Sequence, residues 1–266
     1  MAKNAKLVAV KVLGDSGRGS YADIVDAFEW VIARKEASPN TPMVINASLG
    51  GPADGLVDRA VNSASTAGVT VVVAAGNDGG LACDTSPAAA ASAITVAASN
   101  SNDDETLFSN YGSCVDIFAP GEDIVSSCAD STSSYCALDG TSMASPHVAG
   151  LAALYLEANP SWSPAQVTSA IKNDGVSGAL QFVSANTPNL LASSRALIGD
   201  SPPPATNPVP IRRCARKAKR ACGCSGGRAV RRACVQDVVD NVCQPVVNVD
   251  TYSRKVWRRY KNRLCA

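Results

Sequence analysis

The chain has 266 residues, 46% hydrophobic and 18% charged, with a formal net charge of +1. No apolar run is long enough to span a membrane, while about 200 folded residues bury ~70% of their extended-chain surface, enough for a real core. The near-neutral total conceals two opposite units: residues 1–210 carry 9 Lys+Arg against 20 Asp+Glu, and residues 211–266 carry 15 against 3, a polarity that assigns them different tasks.

In chain order, "LVAVKVL" (7–13) reads as a β-strand. "YADIVDAFEWVIARKEA" follows as a helix, with Ser20 as N-cap and Ile24, Ala27, Phe28, Val31 and Ile32 on one face. Next come a strand in "MVINASL", a helix in "LVDRAVNSASTAG" closed by Gly68, and the strand "VTVVVAAGN". These strands are apolar throughout, as strands covered on both faces must be. Strand–helix–strand–helix–strand predicts an α/β fold on a parallel sheet. Short strands "AITVAAS" and "VDIFAPG" and a hairpin of "DIVSSC" with "SYCALDG" follow. "SMASPHVAGLAALYLEA" is a helix apolar nearly all round, hence buried, with Pro146 in its first turn. "SPAQVTSAIKNDG" is capped by Ser163 and stopped by Gly175. In such sheets ligands bind at the carboxyl ends of strands, where "SLGG" and "GN" fall.

A helix beginning near Ser142 places that hydroxyl at the positive end of its dipole, beside N–H groups with no intrahelical partner. Those donors can hold an oxyanion, Gly140 permits the tight entry, and Asn77 at a strand end can offer a second donor. Taken singly, Ser142 is equally a cap and Asn77 a turn former. His147, the only histidine, lies five residues after Ser142, about 140° round the axis and ~7.5 Å along it. It is read as a packing residue, not as the base.

"GTSMASPHVAG" (140–150) resembles the serine motif of the subtilases, the subtilisin and proteinase K superfamily of serine endopeptidases. "NASLGG", "VVVAAGNDG" and "FSNYGSCVDIFAPG" match in the family's order, and "LVAVKVLGDSGRGSY" is similar to the strand after its catalytic-histidine helix. The likeness runs from about residue 5 to 197 and is nearest the proteinase K-like branch. It implies a three-layer subtilisin-like domain with Ser142 as nucleophile and Asn77 as oxyanion-hole amide. It also implies Ser48, Leu49, Gly50 and Gly51, with Ala74, Ala75 and Gly76, as walls for an extended peptide and its S1 side chain. No cofactor is required for this chemistry.

The family's triad runs Asp, His, Ser along the chain, and its first two members belong ahead of the first segment matched here. Asp15 in "DSG" mimics the aspartate motif, but no histidine lies between it and Ser142, so Asp15 is read as a turn residue. Absent partners, absent export signal ("MAKNAKLVAV" has no apolar h-region) and a start in mid-fold lead to the expectation of an N-terminally truncated subtilase. The family's aspartate strand inserts between the strands matched by 7–13 and 43–49. Without it the isolated chain is expected to be poorly stable or misassembled. Loss of the base from subtilisin costs ~10⁶ in turnover, so the chain alone is expected to be nearly inert.

Ten cysteines divide four before and six after residue 210. With no CxxC pair and one histidine, disulfides are favoured over zinc, and they imply an oxidising, extracellular setting. The resemblance pairs Cys83 with Cys114; Cys128 and Cys136 flank "ADSTSSY" and could staple the hairpin, the alternative being four buried thiols. Asp116 resembles a family calcium ligand completed by carbonyls near Ala91 and Ala93, making a structural Ca2+ a candidate beside a merely solvated aspartate.

"GDSPPPATNPVP" (199–210), with five of the 15 prolines, reads as a stiff linker between a partial catalytic domain (1–198) and a basic, cysteine-rich module (211–266). That module, expected to be small, helical and held by disulfides, either docks on an anionic polysaccharide or surface or serves as a solubilising appendage. Nucleic acid is the lesser candidate. Two functions result: a secreted, monomeric endopeptidase acting on polypeptides, or a non-catalytic subtilase-like scaffold that binds polyanions through its tail.

Overall fold

The computed structural model describes residues 2–198; the linker and basic module expected at 199–266 lie outside the described residues. The chain order is α1 (Tyr21–Ala37), β1 (Val44–Ala47), β2 (Gly51–Pro52), α2 (Gly55–Thr66), β3 (Thr70–Ala74), β4 (Thr85–Ser86), β5 (Ile94–Ser99) and β6 (Ile117–Pro120). After these come β7 (Ile124–Ser127), β8 (Tyr135–Leu138), α3 (Thr141–Ala158), α4 (Pro164–Asp174), β9 (Val176–Ser177) and β10 (Leu190–Leu191).

The helices start where side chains can satisfy their free amides. Ser20 accepts from Asp23 N–H at 3.1 Å, and the Asp23 carboxylate reaches back to the Ser20 backbone, a reciprocal cap. Asp54 accepts from Leu56 and Val57 N–H at 2.8 and 3.1 Å to open α2. Ser163 and Gln166 cap α4 in the same reciprocal way, with Pro164 as its first residue.

Six strands form one sheet in the order β1-β3-β5-β6-β10-β9, parallel except for the β10–β9 pair. Successive residues of β3 face opposite layers. Val71 and Val73 pack with Ile24 and Phe28 of α1 and Val57 and Val61 of α2, while Val72 packs with Val148, Leu151 and Ala152 of α3 and Val167 and Ile171 of α4. That alternation is the physical content of the expected three layers, and it explains why β3 is apolar at every position. β2 pairs with β4, and β7 with β8, as two separate antiparallel ribbons.

Residues 7–13 are not a strand. Leu7 is 91% exposed and Val8 52%; of this run, only Val12 packs against the α1–α2 layer. An apolar β-branched run becomes a strand only where a neighbour supplies the ladder, and none adjoins it. β1 pairs with β3 alone, so among the described residues its outer edge carries no strand. The strand expected between 7–13 and β1 is supplied by none of the described residues.

Both cysteine pairings read from the sequence are present. Cys83–Cys114 ties the segment after β3 to the segment before β6, with Cα atoms 5.3 Å apart. Cys128–Cys136 closes the β7–β8 hairpin at 5.9 Å. Among the described residues no helix is long and apolar enough to cross a membrane.

Candidate active site

The chain leaves β1 through Ser48–Gly51 and leaves β3 through Ala75–Gly76. Because these strands are adjacent and parallel, both exits open on the same edge of the sheet. The N-terminus of α3 bridges them. Ser48 Oγ donates to the Ser142 carbonyl at 2.9 Å, and Gly76 N–H donates to Thr141 Oγ1 at 3.1 Å. Of the segments expected as peptide walls, 48–51 meets Ser142 through Ser48 and 74–76 meets Thr141 through Gly76.

The first of these contacts has a local cause. Pro146 is the sixth residue of α3 rather than a first-turn residue as the sequence reading had it. Having no N–H, it leaves the carbonyl four residues back, that of Ser142, without its helical donor. The Ser48 hydroxyl fills that vacancy. It is itself held by Asn46 Nδ2 at 3.0 Å, and the buried Ser145 hydroxyl donates to Asn46 Oδ1 at 2.7 Å. A relay of single hydrogen bonds therefore runs from the second turn of α3 through β1 and back to the backbone of residue 142. Gly51 is required by packing, since a Cβ there would stand 2.5 Å from the Tyr21 hydroxyl, which donates to Pro52 O.

Ser142 is half-buried in the first turn of an 18-residue helix, where the dipole favours negative charge. Of the first N–H groups of α3, that of Thr141 donates to Asn77 Oδ1 at 2.8 Å, and those of Met143 and Ala144 both turn to Gly140 O. The Ser142 N–H has no acceptor among the described residues and is available to a ligand. The Thr141 hydroxyl also donates to Asn77 Oδ1, at 2.9 Å. With its oxygen held twice by Thr141, the Asn77 amide presents its NH2 to the other side. A Cβ placed on Gly140 would lie 3.5 Å from Ser142 N and 3.6 Å from Asn77 Nδ2, so both donors border one small volume. The Ser142 hydroxyl, with no better acceptor nearby, donates to Ser48 O at 3.4 Å.

No imidazole reaches Ser142. His147 Nδ1 sits 2.8 Å from Met143 O, and because a carbonyl only accepts, that nitrogen carries the hydrogen. The ring is thereby held against the carbonyl one helical turn before it, that of Met143. Asp15 is exposed in the 14–18 turn, paired with Lys11 at 3.1 Å. Asp116 lies away from this site. Lys172 Nζ donates to its Oδ1 at 2.8 Å and Thr95 N–H to its Oδ2 at 2.9 Å. Each oxygen of the carboxylate thus carries one hydrogen-bond donor, the ammonium on Oδ1 and the peptide N–H on Oδ2. No group of three His, Cys, Asp or Glu that could hold a metal ion occurs among the described residues.

Residues the sequence reading did not single out complete the arrangement: Thr141, Asn46, Ser145 and Asn110. Thr141 and Ser145 lie inside the quoted serine motif, yet their partners are 64 and 99 residues away, so no local pattern announces them.

A chain with this geometry has solved counterparts. The crystal structure of a cold-adapted subtilisin-like serine proteinase superposes with a TM-score of 0.67 at 41% identity, covering 71% of this chain and 67% of that one. A subtilase-type proteinase of the sexual differentiation process from Schizosaccharomyces pombe is 48% identical over 74% of this chain and 42% of its own length. An extracellular serine proteinase from a Thermus species is 45% identical over 72% of this chain and 46% of its own. The chain thus spans less than half the length of these two relatives. The profile of the subtilase family of peptidases matches residues 1–191, and this chain belongs to that family of subtilisin-like serine peptidases.

Proposed function

We propose that residues 1–198 form the nucleophile-bearing part of a secreted serine endopeptidase. Ser142 Oγ attacks a peptide carbonyl, the Ser142 N–H and Asn77 Nδ2 hold the tetrahedral oxyanion, and Ser48–Gly51 with Ala74–Gly76 line the extended substrate. The serine proton passes to a histidine, oriented by an aspartate, encoded outside these 266 residues; that histidine then protonates the leaving amine, and water releases the acyl group. The observation that carries this reading is the convergence of two free donors, Ser142 N and Asn77 Nδ2, on one volume beside the hydroxyl, with Thr141 fixing the amide's orientation. All the groups in the reaction are hydroxyl, amide, carboxylate and imidazole.

The reading is tested by comparing the 266-residue chain with a competent form, the same chain joined to the histidine-bearing segment encoded ahead of it. A fluorophosphonate probe should label the competent form at Ser142, and Ser142→Ala should abolish both labelling and peptide hydrolysis. The chain alone should label at least ~10³-fold more slowly. Equal labelling of both would overturn the proposal. The basic module at 211–266, with 15 Lys+Arg against 3 Asp+Glu, is proposed to dock the enzyme on an anionic polysaccharide. Retention on an anionic resin that survives its deletion would rule that out.

A further inference from the structure

The loop after β3 that carries Asn77 bends sharply. Gly76 has φ +106 and Gly79 φ +61, and the bend turns several backbone groups inward. Asn110, only 1% exposed, takes up those groups. Its backbone N–H donates to Gly76 O at 2.9 Å and its Nδ2 to Ala75 O at 3.0 Å. Its Oδ1 accepts from both Asp78 N–H and Gly80 N–H at 3.0 Å. The grip thus closes on the two residues before Asn77 and on the one directly after it. A Cβ on Gly76 would stand 2.2 Å from Asn110 Nδ2, so the glycine is what lets this amide approach. Asn110 is in turn tied to the sheet, because Ser109 Oγ donates to Asn110 O and accepts from Ala98 N–H of β5, both at 3.0 Å.

We propose that Asn110 is the positioning residue of the Asn77 amide: by holding residues 75–80 against β5 it sets where Asn77 Nδ2 meets the oxyanion. Thr141 fixes which way that amide faces, and Asn110 fixes where its backbone stands. The inference rests on the proposed oxyanion role of Asn77. Removing the Asn110 side chain strips one acceptor from two N–H groups and one donor from a carbonyl, all within three residues of Asn77. The loop then relaxes, the amide shifts, and an interaction made only in the transition state weakens.

The test is a double-mutant cycle in the competent form. Asn77→Ala should lower kcat by ~10²–10³. Asn110→Ala should lower kcat by ~10–10², a loss of the size a displacement of about 1 Å produces, with KM changed by less than about threefold. The double variant should lose no more than Asn77→Ala alone, because Asn110 acts through Asn77. Multiplying losses, or a loss confined to KM, would overturn the inference. Undiminished kcat in Asn77→Ala would instead sink the oxyanion reading on which it rests. Asn110→Asp keeps the oxygen that accepts from the Asp78 and Gly80 N–H groups and loses the donor to Ala75 O, and is measured in the same cycle should the alanine variant not fold. If neither variant gives folded protein, Asn110 holds the fold rather than Asn77, and the inference fails.

Discussion

Gly140, two residues before the proposed nucleophile, has φ 153 and ψ 155, a region that side chains avoid at a cost of about 1–3 kcal/mol. Its absent side chain leaves open the volume between Ser142 N and Asn77 Nδ2. Gly140→Ala therefore strains the backbone and puts a methyl in the volume proposed for the oxyanion. The expected outcome is a fall in kcat of ~10²-fold in the competent form, with near-normal circular dichroism. Unchanged kcat would move the oxyanion away from this corner. At this scale the sequence was most informative where chemistry and local geometry coincide. Ser142 announces itself by its place at a helix start, and His147 excludes itself by its angle. Thr141, Ser48 Oγ and Asn110 act through partners 64, 94 and 30–35 residues distant, and composition carries no trace of such meetings.

Among the elements, β3, β5 and β6 are legible as apolar runs covered on both faces, and α1 and α4, each packed on one face only, from their caps. Residues 7–13 carry the same apolar lettering without forming a strand, because strand formation depends on a partner that local pattern does not specify. The segment after β5 offers a test of how loops are clasped. Glu105 accepts from Ser184 N–H at 2.6 Å and, half-buried, has its carboxyl pushed above the usual 4.5 by desolvation, against the opposing pull of that hydrogen bond. The folded state thus holds the proton more tightly than the unfolded chain. The resulting stabilisation is complete below the ordinary carboxyl range and is lost as pH rises through the raised folded value. Glu105→Gln keeps an acceptor for Ser184 and removes the titration. Its melting temperature should gain on that of the unaltered chain as pH climbs from roughly 4 to 7, and parallel melting curves across that range would contradict the argument.

For the molecule as a whole, the decisive feature is the outer edge of β1, which carries no strand among the described residues. The hydrophobic layers on either face of the sheet are well supplied, with Val57, Val61, Ile94, Ile117 and Leu151 fully buried, so the instability expected of the isolated chain does not originate in its core. Its boundary is the weak point. A rim of unpaired peptide groups acts as a template for any extended chain of matching taste for water, and the exposed Leu7, Val8 and Val10 are such a chain on every copy. The 266-residue polypeptide should accordingly scatter more light per molecule as it is concentrated. The competent form, with that rim occupied, should sediment as a single small species. What limits handling of this polypeptide would then be crowding with its own kind, and dilution, rather than cooling, would be the way to keep it in solution.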